Sequence, residues 1–180
     1  MNRGFSIAFR SIALLLVLQQ SSVPTEGGGA PASPQVLLSA DSASVPLDGI
    51  LSLEVRLVNA NQDDADVVVY RRMSSGVVLQ ARTPDGSVVR PKGFTHYHEL
   101  CPPPPPKQTD FVSLGKGQFL GQTYRVDLAY LGIDSPGSYS IVASYWFDIA
   151  SDESGWHLSL SREPVESVPI RLVVLPKKEE

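Results

Sequence analysis

The sequence predicts an antiparallel all-β fold, a two-sheet sandwich of seven to nine short strands, and three observations carry that expectation. In the segment 138–145, Tyr139, Ile141, Ala143 and Tyr145 fall on one face and Ser138, Ser140, Val142 and Ser144 on the other, the two-residue period of a half-buried strand. The segment 50–58 alternates in the same way, with Leu51, Leu53, Val55 and Leu57 directed inward and Ser52, Glu54 and Arg56 outward. Beyond the N-terminal apolar run, no window repeats its apolar residues at the helical i, i+3, i+4, i+7 interval. Fifteen prolines and fourteen glycines in 180 residues suit short strands joined by tight turns.

In order, 36–40 reads as a first strand and 45–49 as a turn, whose Pro46 confines it to an edge or a connection. The best-patterned strand, 50–58, leads into a polar turn at 59–65, followed by β-branched strands at 67–70 and 76–81. Thr83-Pro84-Asp85-Gly86 has the residues of a β-turn, and 87–90 would return from it as a hairpin arm. The segment 93–107 has no period and holds five consecutive prolines, Pro102 to Pro106, which can only be polyproline II. Two extended segments between 111 and 127 flank the turn Gly115-Lys116-Gly117, and Pro136-Gly137 opens the next strand, which sets Trp146 on its outer face. A polar loop at 148–155, a strand at 156–160 and a closing strand at 165–174 complete the chain. This pattern meets the criterion for an immunoglobulin-like sandwich, without the Cys…Trp…Cys spacing of antibody domains.

The N-terminus reads as a secretory signal. Arg3 and Arg10 precede the apolar run 12–18, polar Gln19 to Ser22 follows, and the run is far shorter than the ~18 residues that cross a bilayer. The expected organisation is a signal peptide at 1–22, a Gly/Pro/Ser-rich linker at 23–34, the sandwich at 35–176 and a solvated tail at 177–180, with no membrane span once the signal is removed. Net charge is −4 with the signs interleaved, and the absence of a basic stripe argues against nucleic acid as partner. The single cysteine, Cys101, has no intramolecular partner, which together with a signal indicates a secreted or periplasmic domain held by its core.

Several runs carry a resemblance. Val58-Asn59, the Thr-Pro-Asp-Gly turn, Phe-Val-Ser-Leu-Gly-Lys-Gly-Gln from 111, Val-Asp-Leu-Ala-Tyr-Leu at 126–131 and Pro-Gly-Ser-Tyr-Ser-Ile-Val-Ala-Ser-Tyr from 136 resemble secreted bacterial immunoglobulin-like domains. These include the domains that accompany deuterolysin-type metallopeptidases. The resemblance spans about 36–175 and implies the fold. The zinc helix of such peptidases has no counterpart in this sequence, so no catalytic residue carries over.

The chemistry-bearing residues concentrate in 93–110. Phe94, His96, Tyr97 and His98 offer aromatic contact area, and Pro102, Pro103 and Pro104 belong to a run already rigid before binding, which leaves two expectations open: a protein partner engages this loop and the sheet edge beside it, or the prolines only block strand addition at that edge. In the alternative reading His96, His98 and Cys101 hold zinc or copper, whose preferred donors they are, although the spacing matches no finger. His98-Glu99 lacks the second histidine of a zincin, and Pro102 forbids the helix that motif needs. Gly115 to Gly121 misses the dinucleotide fingerprint by one residue and opens no helix. Asn59, Asn61 and Asp63 alternate like calcium ligands, but Asp64 stands where that loop needs Gly, leaving only a looser site with Asp64 or Asp66. No Gly-x-Ser-x-Gly elbow supports a hydrolase. The expectation is a non-enzymatic binding or accessory module without cofactor.

Overall fold

In the computed structural model, which describes residues 33–90, 106–152 and 155–177, the chain is an all-β, sandwich-like fold. The first sheet is β1 (Gln35–Ala40), β3 (Ile50–Val58) and β7 (Phe119–Asp127), antiparallel in the order β1-β3-β7. The second is ordered β2 (Ser44–Pro46), β10 (Ile170–Leu175), β8 (Gly137–Asp152) and β5 (Val77–Arg82), with β9 (Gly155–Glu166) also paired to β8. A short ribbon joins β4 (Val67–Tyr70) to β6 (Phe111–Leu114), and one helical turn, α1 (Met73–Gly76), leads from β4 to β5. The predicted turn at 45–49 is therefore partly strand. Pro46 is tolerated because β2 is an edge, running parallel to β10, and Leu47 N–H donates to Leu175 O (3.0 Å).

The alternation in 50–58 is realised as predicted: Leu51, Leu53, Val55 and Leu57 are fully buried between the sheets. Toward one end they meet Ala81, Ile141, Leu172 and Val174, and toward the other Val36, Val77, Ala143 and Tyr145, with Met73 and Leu114 filling the margin. Complete burial of each such aliphatic chain is worth about 1.5–3 kcal/mol, so this interlayer dominates the stabilisation.

The segments either side of Gly115-Lys116-Gly117 belong to different sheets, β6 on β4 and β7 on β3, so the turn is a crossover. Several expectations are corrected. The arm expected at 87–90 makes one bridge, Val88 to Arg82. In β8 both faces are buried from Ile141 to Tyr145, and the polar run expected as a loop from 148 is strand to Asp152, paired with β9. The two closing strands are divided differently. Tyr145 pairs with Val165 but Phe147 with Leu160, so 161–164 bulge out opposite Trp146, which is half-buried rather than a surface ring. Among the described residues no helix is long and apolar enough to cross a membrane.

Candidate partner-binding site

The residues singled out by sequence, Phe94, His96, Tyr97, His98, Cys101, Pro102, Pro103 and Pro104, lie outside the described residues, as does the predicted signal. What the structure defines is the framework on either side of 91–105.

On the N-terminal side the Thr83–Gly86 turn is heavily bonded. Gly86 N–H donates to Thr83 O (2.9 Å) and Thr83 N–H to Ser87 O (2.9 Å), while Gly86 adopts φ 87°, the left-handed region that favours glycine. The Thr83 hydroxyl bonds the Asp85 carboxylate, which also accepts from Ser87 N–H (3.2 Å). Those donors, the hydroxyl first, hold the Asp85 carboxyl below its ordinary range. The chain then lies against β5, with Val89 N–H donating to Ala81 O (2.8 Å).

On the C-terminal side 107–110 form a closed turn. Lys107 N–H donates to Asp110 Oδ2 (2.9 Å) and Asp110 N–H to Lys107 O (2.8 Å). Asp110 also ties this turn to the body: its carbonyl accepts from Arg71 N–H (2.7 Å), and its carboxylate pairs with Arg72 (3.2 Å). The Lys107 N–H, then the Arg72 charge, keep the Asp110 carboxyl below its usual range. Gln108 Oε1 accepts from Trp156 N–H (3.2 Å). Gly155 makes that approach feasible, because a Cβ there would come within 2.8 Å of the Gln108 oxygen.

Behind this anchor runs a chain of aromatic contacts. Trp156 meets Phe111 edge-on (centroids 5.8 Å), Phe111 meets Tyr70 (5.8 Å), Tyr70 meets Phe147 (5.3 Å) and Phe147 meets Tyr145 (6.0 Å). Such pairs are each worth about 0.5–1.5 kcal/mol beyond area burial and have little freedom to slide. Tyr145 Oη accepts from Tyr70 N–H (3.0 Å), and burial pushes the Tyr145 phenol up to about 12. The unfolded phenol ionises near 10, so the folded form alone keeps its proton between pH 10 and 12. This contribution is whole below pH 10 and is lost as pH rises toward 12, about 2–3 kcal/mol in all. Denaturant titrations across that window should show stability falling with rising pH, and the fall should shrink in Tyr145→Phe.

The two anchors flank β5. Val88 and Val89 sit beside Ala81 and Arg82 at its C-terminal end, and Asp110 is bonded to Arg71 and Arg72, just ahead of α1 and the start of β5. Sequence reasoning missed Gln108, Asp110 and Arg72 because nothing in their local pattern distinguishes them from solvated polar residues. The turn at 59–66 does not gather its oxygens at one point. Asn59 is buried and committed to Ala65 O and Leu114 O, Asp66 takes the Ser113 hydroxyl (2.6 Å), and Asp64 faces Lys116 (3.8 Å). Among the described residues no three His, Cys, Asp or Glu side chains stand close enough together to hold a metal. Comparison with family profiles, with curated proteins and with solved structures gave no match.

Proposed function

We propose that the chain is a non-enzymatic binding or accessory module, secreted or periplasmic, whose sandwich is a rigid frame for the segment 93–110. In this reading Phe94, His96, Tyr97 and His98 supply the contact area for a protein partner, and Pro102, Pro103 and Pro104 hold their backbone extended in advance. The observation that supports it is the pair of built anchors. A long aperiodic segment of no consequence needs no multiply bonded turn at each end, whereas a recognition loop must be presented from fixed points. The resemblance to secreted bacterial immunoglobulin-like domains and the signal-like N-terminus favour an exported setting.

Replacing 93–105 with a Gly/Ser linker of equal length, with Lys107 to Asp110 kept, separates this role from a structural one. The expected result is a melting temperature within about 3 °C of the parent, since few core contacts change. Cross-linking in exported fractions should then lose the partner that the parent chain captures. Capture of the same partner by the replaced chain would place recognition elsewhere.

A further inference from the structure

The open side of β7 is a second feature, independent of the loop. Asp41 N–H donates to Ser52 O (3.1 Å), so the even residues of β3 bond toward β1 and the odd ones toward β7. Through the observed register, Leu120, Gln122, Tyr124 and Val126 return those bonds, and the backbone groups of Phe119, Gly121, Thr123, Arg125 and Asp127 face away from the sheet. Among the described residues no strand pairs with that side. Among the other edges of the described residues, β2 is three residues long and ends in Pro46, the C-terminal end of β5 has Val88 and Val89 against it, and β1 and β9 each pair on one side only. By contrast β7 is nine residues long with no proline, and its only charges, Arg125 and Asp127, lie on the outer face. An edge of this kind is a template for another strand. Among the described residues the sandwich also thins along it, for Leu120, Gln122 and Tyr124 are half-buried while their partners on β3 are fully buried.

We infer that β7 is a self-association edge: two copies pair through β7, antiparallel about a two-fold axis at Thr123, to form one continuous sheet ordered β1-β3-β7-β7-β3-β1. The side chains of β7 complement themselves in that register. On the inner face Leu120 falls opposite Val126 of the second copy, and Gln122 opposite Tyr124, whose hydroxyl is buried without a hydrogen-bond partner among the described residues. On the outer face Thr123 meets Thr123 of the second copy, and Arg125 lies over Gly121, which offers no side chain to obstruct it. Phe119, 54% exposed, falls opposite Asp127, beside the groove of about 270 Å³ that Tyr124, Arg125, Val126, Asp127 and Tyr130 line. No like charges oppose each other, and apolar, Thr–Thr and Arg–aromatic neighbours are the pairs that stabilise adjacent strands.

Sedimentation of the protein over micromolar concentrations tests this. The parent should be dimeric, and Thr123→Pro should weaken the dimer at least about tenfold, because it removes an outward N–H. That N–H makes no bond to β3, so circular dichroism and melting should be retained. Thr123→Lys, which sets two ammonium groups face to face on an exposed surface, should weaken the dimer equally and covers the case in which the proline variant does not fold. In a Cys101→Ser background, Thr123→Cys should oxidise to a covalent dimer, since hydrogen-bonded residues across such a ladder have Cα atoms about 5.5 Å apart. A parent that stays monomeric throughout would overturn the inference and leave the edge to an extended segment of another protein. A dimer indifferent to both substitutions and giving no cross-link would overturn it equally.

Discussion

Asn59→Ala is expected to lower stability by about 3 kcal/mol, because it strips one buried and two part-buried backbone groups of their partner without removing those groups. Asn59 is fully buried where β3 ends. Its Nδ2 donates to Ala65 O (2.8 Å) and Leu114 O (2.8 Å), and its Oδ1 accepts from Asn61 N–H (3.1 Å). Its backbone holds the crossover turn as well, donating to Gln118 O (3.0 Å) and accepting from Gly117 N–H (2.9 Å). One side chain thus joins the 59–66 turn, β6 and the entry to β7. The alanine variant leaves two carbonyls and one N–H without that side chain. Asn59→Asp should cost more, since it sets a carboxylate against the same two carbonyl oxygens in a buried site. Equilibrium urea unfolding measures both, and a loss below about 1 kcal/mol for the alanine variant would show that these groups find other partners.

Gly76→Ala is the second large effect, about 2–3 kcal/mol, and it comes from overpacking. Gly76 closes α1 beneath Phe147, and a Cβ on it would collide with Phe147 Cδ2 and lie 3.2 Å from Tyr145 Cε2. Phe147 is half-buried and meets Tyr70 and Tyr145 edge-on, so moving aside means giving up those contacts. A single methyl group must therefore displace the aromatic chain that backs the 107–110 anchor. Adding Phe147→Leu to Gly76→Ala should recover part of the loss, and that non-additivity in a double-mutant cycle identifies the steric origin. Additive losses would mean that the glycine matters for backbone freedom instead.

The fold class was legible because its signal is local. Alternation in 50–58 and 138–145 is a property of consecutive residues, and strand geometry converts it directly into faces. The location of β1, β3, β4 and most of β5 followed from the same reading, and Pro46 was correctly confined to an edge. Errors arose where the deciding contact was distant. Asp148 to Asp152 looks like a loop because it is polar, yet it is strand because β9 supplies hydrogen bonds that require no buried face. Val142 and Ser144 look outward-facing by period, and their full burial depends on what packs over the sheet.

For the candidate site the division is sharper. The proline run and the aromatic and imidazole side chains of 94–98 are visible in the sequence, since they are matters of composition alone. The anchors are not. Gln108, Asp110 and Arg72 acquire a role only when Trp156 and Arg71 are brought beside them from elsewhere in the chain. The open edge of β7 was hidden for the same reason, since a strand's period tells which way its side chains point but not whether a neighbour lies beside it. The sequence by itself determined the fold class, the place of β1, β3 and β4 and the buried face of β3, because φ/ψ preference and side-chain alternation act within a few residues. Only the tertiary structure decided which strands pair, which strand sides are left unpaired among the described residues and which bonds hold the turns at 83–87 and 107–110, because hydrogen bonds between strands are made by backbone groups that are alike at every position.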